Sequence, residues 1–211
     1  MALSSVISRP ALESCLSSFS FSLAQVEHLY QFLLLVEQWN LSHGLLARGE
    51  LPRLLDRHLV DSLSLSSFLP ASGAGIDLGS GNGFPALVLA ILHPSLNFTL
   101  TESNQKKARF LRYVIHRLML SHVVVYSDRI ESLTNASTFT FATSRAFSSL
   151  LNSCHYLSPL LSSGGKFFAM KGFHVEHDLS EFSSSSVAGL YSSPEIHVVS
   201  PESKIILLTR Q

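Results

Sequence analysis

The chain has 211 residues, 46% of them apolar, and its 15 basic and 15 acidic side chains cancel. That balance excludes intrinsic disorder and any nucleic-acid binding that relies on overall positive charge, and it allows one good core with a helical annex. Two cysteines, Cys15 and Cys154, are too few and too far apart for a disulfide framework, and no segment reads as a signal peptide. The apolar run Phe32-Leu33-Leu34-Leu35-Val36 is far shorter than the roughly 20 residues that span a bilayer, so a cytoplasmic chain with no membrane partner is expected.

In chain order, Ser22-Leu23-Ala24-Gln25 has capping-box spacing ahead of Val26, Leu29, Tyr30, Leu33 and Leu34, whose helical intervals predict a long helix. A second helix is expected from Leu51 toward Leu65, with Leu54, Leu55, Leu59 and Leu63 inward and Arg53, Arg57 and Asp61 outward. In that helix Asp61 pairs with Arg57 at i, i+4. Pro70-Ala71-Ser72-Gly73 then breaks the pattern, dividing a helical N-terminal extension, residues 1–70, from a second unit, residues 71–211. From Gly75 onward strands and helices alternate, as a mostly parallel, doubly wound α/β sheet covered on both faces demands. Strands are expected near 75–78, 97–101, 122–126, 139–143 and 166–170, with 195–199 and 204–209 pairing as a hairpin at the end of the sheet. The polar run Ser183 to Ser186 reads as a surface connection.

The first of these strands runs into Asp77-Leu78-Gly79-Ser80-Gly81-Asn82-Gly83-Phe84, a turn whose bare main chain can lie against a ligand. A dinucleotide fingerprint needs a third glycine where Phe84 stands. Asp77, just before the glycines, suits a ligand with an ammonium group better than a pyrophosphate, and S-adenosyl-L-methionine is such a ligand. Glu102 ends the next strand, 19 positions after Gly83, where a carboxylate either accepts ribose hydroxyls or caps the helix that begins at Ser103-Asn104-Gln105. On that helix Lys106, Arg109, Arg112, His116 and Arg117 share one arc and Phe110, Leu111, Val114 and Leu118 the other, with Lys107 misplaced toward the apolar side. The basic arc is either a solvated face or a phosphate contact. Arg48, Arg53, Arg57 and His58 form a second basic group, and Lys171 follows the fifth strand at the same sheet edge as the glycine turn.

With these motifs in order, the chain resembles the bacterial 16S ribosomal RNA guanine-N7 methyltransferases, the glucose-inhibited division protein B (RsmG-like) family. The likeness rests on Trp39-Asn40, Arg57-His58-Leu59-Val60-Asp61-Ser62, the Asp77 to Pro85 stretch, Glu102-Ser103 with Lys107 and Phe110-Leu111, Arg129-Ile130-Glu131, Ser144-Arg145-Ala146-Phe147, and Lys171-Gly172. It implies a Rossmann-like methyltransferase unit at 71–211 using S-adenosyl-L-methionine, with 16S ribosomal RNA or a precursor of the small subunit as partner. It also implies that Gly79 and Phe84 line the cofactor, that Ile130 and Glu131 flank its adenine and that Arg145 closes the pocket. Ala86, Thr140, Gly44 and Leu46 depart from the family pattern. Thr140 stands in place of an aspartate and puts in doubt any role for an acid at the base of the fourth strand.

No catalytic residue is expected. The loop Thr143-Ser144-Arg145-Ala146-Phe147 is not the Asn/Asp-Pro-Pro-aromatic loop of amine methylation, and Cys154 reads as a buried structural thiol. Guanine N7 offers a lone pair and needs no base. RNA contacts are expected from Arg57, His58, Arg109, Arg112 and Lys171, with Phe84 and Phe147 as stacking candidates, although Phe147 more often reads as core. The His174-Val175-Glu176-His177-Asp178 cluster lacks a third ligand at metal-site spacing, so no metal is expected. A methyltransferase acting on another RNA or a small molecule, and a non-catalytic cofactor-binding RNA-interaction protein, remain as alternatives.

Overall fold

The computed structural model describes residues 7–47, 49–134, 138–172 and 175–211. Two N-terminal helices, α1 (Arg9–Leu16) and α2 (Leu23–His43), lead through a short 3-10 turn (Leu51–Arg53) and a π-helical segment (Leu54–Leu59) into α3 (Val60–Ser66). The sheet follows, as β1 (Gly73–Leu78), α4 (Ala86–Leu92), β2 (Leu96–Thr101), α5 (Gln105–Arg117), β3 (Val123–Tyr126), β4 (Phe139–Arg145), α6 (Leu150–Leu157), β5 (Leu161–Lys171), α7 (Val175–Ser183), β6 (Glu195–Ser200) and β7 (Ser203–Thr209). All the strands expected from sequence are present, and Ser183 to Ser186 closes α7 and opens a 3-10 turn.

The strand order is β3-β2-β1-β4-β5-β7-β6, with β1 to β5 parallel and β7 antiparallel to both β5 and β6. The chain therefore reverses direction across the sheet between β1 and β4, and a crevice opens beyond their C-terminal ends. Central strands alternate their apolar residues between two cores. Phe98, Leu100, Phe141 and Phe168 face one layer, while Ile76, Leu78, Ala142 and Phe167 face the other, formed with α6 and α7.

The first core is continuous with the annex, since Leu29, Phe32, Leu33, Leu54, Leu59 and Leu63 join the sheet residues in one cluster. This explains α4, whose Ala-Leu-Val-Leu-Ala-Ile-Leu sequence is apolar all round. Every residue of it is buried, because it lies between sheet and annex. The capping box at the start of α2 takes part too: Gln25 Oε1 accepts from Ser22 N–H at 2.9 Å, and Gln25 Nε2 donates to Leu92 O at 3.0 Å, at the end of α4. No helix among the described residues is long and apolar enough to cross a membrane.

The segment 51–65 is not the regular helix that its leucines predict. Val60 N–H reaches back to Leu55 O in a wider π turn, and the expected Leu54, Leu59 and Leu63 nevertheless all face the core. Asp61 lies inward, only 8% exposed, because α3 is covered on more than one face, with Asp61, Ser62, Leu63 and Leu65 all buried, and Arg57 pairs with Glu50 at 3.4 Å in place of Asp61. Replacing Gln25 by alanine removes the reciprocal half of the capping box and the tether to Leu92 O but keeps the backbone N–H that Ser22 Oγ caps, so Gln25→Ala is expected to lower the unfolding free energy by about 1 kcal/mol in urea titrations, with faster amide exchange at the start of α2.

Candidate functional site

Two cavities lie side by side at the C-terminal ends of β1, β2 and β4, and Gly79 and Ala146 line both. The larger, about 470 Å³, is walled by the glycine turn, by Arg57, His58 and Asp61 from the annex, and by Lys107, Arg145 and Lys171. The smaller, about 390 Å³, is walled by Glu102, Asp128 to Glu131, Phe147 and Tyr156. Neither wall could be assembled from one segment of chain.

The glycine turn is held from below and beside. Ser80 N–H donates to Thr101 O at 2.8 Å, Gly79 N–H to Thr101 Oγ1 at 3.2 Å, and Gly81 N–H to Glu102 Oε2 at 2.8 Å. Glu102 Oε1 accepts from Asn104 N–H, also at 2.8 Å, so the carboxylate holds the turn and the entry to α5 together, and each oxygen keeps a second lone pair for a ligand hydroxyl. At Gly81, with φ of +55°, a side chain would meet nothing closer than Gly79 O at 3.7 Å, so it would project into open space beside Glu102. Gly83 differs. A Cβ there would lie 2.6 Å from Leu87 Cδ1, so this glycine serves the packing of the turn on α4 and does not line a cavity.

Asp77 also lies away from the lining, contrary to its expected place against an ammonium group. It is 1% exposed beneath the turn and accepts from Thr143 Oγ1 at 2.5 Å. Burial pushes its pKa up to about 6 against the opposing pull of the Ser80 and Thr143 hydroxyls. Phe84 is 3% exposed, packed on Phe32 at 5.0 Å and His58 at 5.6 Å between ring centroids, with the Arg145 guanidinium 5.6 Å from its ring. It walls the larger cavity but has no free face on which a base could stack. Phe147, read more readily as core, is half-buried, lines the smaller cavity and stands where a Cβ on Gly79 would touch it at 2.5 Å. Ile130 and Glu131 share that cavity, in a 3-10 turn.

The RNA candidates separate. His58 is buried, and burial first and the nearby Arg145 second pull its pKa down to about 4, so it is neutral near pH 7. Its Nε2 donates to Glu50 Oε2 at 2.8 Å, which leaves Nδ1 as a buried acceptor without a partner among the described residues. Lys171 lines the cavity yet is tied to Asp178 at 2.9 Å and to Ser148 O, so it is committed to the fold. Arg109 and Arg112 lie on the exposed face of α5, outside both cavities, and Arg112 donates to Ser127 Oγ. Lys107, the misfit of the helical pattern, is the α5 cation that reaches the larger cavity, and it enters none of the ion pairs among the described residues. Tyr156, Ser203 and Glu202 also reach the cavities and carried no local signal. Arg48 and His174 lie outside the described residues, and Glu176 and Asp178 pair with Lys204 and Lys171. Cys154 is buried, its thiol pushed up to about 12 by desolvation. Thr140 bonds Ala74 O near the start of β1, at the opposite end of the strands from the cavities.

Asp77 gives the site a pH signature. Its folded pKa of about 6 exceeds the usual 3.8, so the protonated form is favoured on folding. The resulting stability is complete below about pH 4 and is lost as pH rises through about 6, a change on the order of 2–3 kcal/mol. Asp77→Asn, uncharged throughout, is expected to gain on the wild type by that amount between pH 4 and pH 7 in urea unfolding.

Comparison with known proteins agrees with this arrangement. A family model described as rRNA small subunit methyltransferase G (GidB) matches residues 25–204. Ribosomal RNA small subunit methyltransferase G of Halorhodospira halophila is 39% identical over 184 residues, covering 86% of this chain and 87% of that protein. Its counterpart in Stenotrophomonas maltophilia is 37% identical over 170 residues, covering 81% and 80%. Among solved structures, a SAM-dependent methyltransferase from Aquifex aeolicus superposes with a TM-score of 0.60 at 12% identity, over 75% of this chain and 93% of that one. A geranyl diphosphate methyltransferase bound to SAM gives 0.61 at 12% identity, over 77% and 88%. These likenesses establish a Rossmann-like methyltransferase fold, and the sequence match establishes the family: the chain belongs to the rRNA small subunit methyltransferase G family.

Proposed function

We propose that this protein is an S-adenosyl-L-methionine-dependent methyltransferase that modifies N7 of a guanine in 16S ribosomal RNA, in the cytoplasm. The observation that carries the reading is the pair of cavities joined at Gly79 and Ala146, one beside Glu102 and the other walled by the annex. S-adenosyl-L-methionine supplies a methyl group on a cationic sulfur. Its fit rests on the open main chain at Gly81 and on Glu102, whose unused lone pairs suit ribose hydroxyls. Ile130, Glu131, Phe147 and Tyr156 would enclose the adenine, and the main chain of Gly79 and Gly81 would hold the methionine end. Arg145, held over Phe84 and opposed in charge by Asp61 and Asp77, is available to a carboxylate at the mouth of the larger cavity.

The target base would enter the larger cavity. In-line displacement needs the nucleophile about 3–3.5 Å from the methyl carbon and water excluded, and the annex wall serves both ends. Cys154 is buried and protonated, and neutral His58 is a poor base with its Nε2 committed to Glu50, so chemistry that needs a thiolate or a strong base is disfavoured. Guanine N7 needs neither. Positive charge develops on the purine during transfer, so the acidic side chains of this cavity, Glu50, Asp61 and Glu202, offset the arginines around it.

Mapping N7-methylguanine by chemical cleavage of ribosomal RNA, with and without the gene, tests the reading. One cleavage site in 16S RNA is expected to vanish on deletion and to return with the wild-type gene; an unchanged pattern refutes it. In calorimetry Gly81→Val is expected to weaken S-adenosylhomocysteine binding at least about 10-fold, because a β-branched residue at positive φ strains the turn and fills its open side. Lys107→Ala is expected to raise KM for RNA at unchanged cofactor affinity and to lower the slope of log affinity against log salt by about 1.

A further inference from the structure

Asp61 is a carboxylate that the fold buries without an ion pair. It lines the larger cavity and is 8% exposed, and no cationic nitrogen lies within ion-pair distance of it among the described residues. Two of the nearby arginines are paired elsewhere, Arg57 with Glu50 and Arg53 with Glu202, and Arg145 lies over the ring of Phe84, outside ion-pair distance of Asp61. The Ser203 hydroxyl at the start of β7 stabilises the carboxylate, and Arg145 and Arg57 act on it only at a distance. One hydroxyl does not satisfy a carboxylate with about four acceptor sites, and burying a charge without partners is costly. His58 Nδ1, on the same wall, is a second acceptor with no donor among the described residues. This wall of the cavity is therefore built to receive hydrogen-bond donors.

We infer that Asp61 reads the Watson–Crick edge of the target guanine, its two carboxylate oxygens accepting N1–H and the 2-amino group side by side. This rests on the guanine-N7 reading above and names the residue that makes it base-specific. Guanine alone presents two adjacent donors on that edge. Adenine and cytosine set an amino donor beside a ring-nitrogen acceptor, and uracil sets a single N–H between two carbonyls, so each would bring a lone pair against the carboxylate. A base taken out of its stack is read in this manner by hydrogen bonds to its Watson–Crick edge. The geometry of the purine suits the two walls, because N1 and the 2-amino group lie on the six-membered ring, across the base from N7. Asp61 on the annex then leaves N7 free for the sheet-edge side, where the two cavities meet. Positive charge arriving at N7 makes N1–H more acidic, so the two hydrogen bonds strengthen toward the transition state. Asp61 is thus expected to affect kcat as well as KM.

The test uses the full-length protein, S-adenosyl-L-methionine and small-subunit RNA ligated to carry guanosine or inosine at the mapped position; inosine lacks only the 2-amino group. Wild-type kcat/KM is expected to fall roughly 10–100-fold on inosine, the range for a buried acceptor left without its donor. Asp61→Asn is expected to lose at least as much on guanosine RNA, in kcat and KM together, and to lose little further on inosine RNA. Its affinity for S-adenosylhomocysteine should stay within about 2-fold of wild type. Equal wild-type rates on the two RNAs overturn the inference without requiring any variant to fold. It is also overturned if Asp61→Asn loses the same factor on both RNAs, or if cofactor affinity falls along with activity, which would make Asp61 a partner of Arg145 only. No N7 methylation by the wild type would instead overturn the functional reading itself, and this inference with it.

Discussion

The site depends on one carboxylate. Glu102 follows β2 and accepts main-chain N–H groups from Gly81 after β1 and from Asn104 before α5, so the loops after β1 and β2 are tied to one side chain. Charge-assisted hydrogen bonds of this kind are about twice as strong as neutral ones. Their geometry keeps the glycine turn open, with its N–H groups and a carboxylate edge facing the place where the sheet reverses its winding.

The annex supplies the other half. A parallel sheet can form a crevice at its switch point, but a crevice of that kind is open on the side away from the sheet. Here α2 and α3 pack on α4 until that helix is wholly buried, and Gly83 has no side chain because Leu87 and Phe32 occupy the space. The π segment Leu54–Leu59 and α3 then form the wall on that side. His58 and Asp61 face the cavity, and Arg57 stays at its rim with Glu50.

The electrostatics follow from this layering. Arg145 lies among groups of opposite sign, Asp61 on the annex side and Asp77 beneath the turn, and desolvation lowers its own pKa while raising theirs. Methyl transfer places positive charge on the acceptor, so a cavity holding arginine can support it only when acidic groups lie within reach. Lys171, locked to Asp178 and Ser148, closes the β5 edge without adding a free charge.

Much of this was written in local pattern. The capping box, the alternating strands, the three glycines, the acid ending β2 and the split faces of α5 are all properties of neighbours in the chain, governed by short-range sterics and by periods of 2 and 3.6 residues. Sequence by itself therefore determined the seven strands, α2 and α5, their α/β order and the identity of the glycine turn with its facing carboxylate, but not α1, α7 or the broken helix at 51–66. It did not determine which of those residues face a ligand. Asp77 and Gly83 belong to the motif yet support the turn from beneath, Phe84 is sealed between Phe32, His58 and Arg145, and Lys107 reaches a cavity that its position in the helix pattern did not suggest. The reversal of Asp61 from outward to inward has the same origin. Whether a side chain is a wall, a prop or a contact depends on layers that meet from far along the chain. Only the tertiary structure could decide those placements.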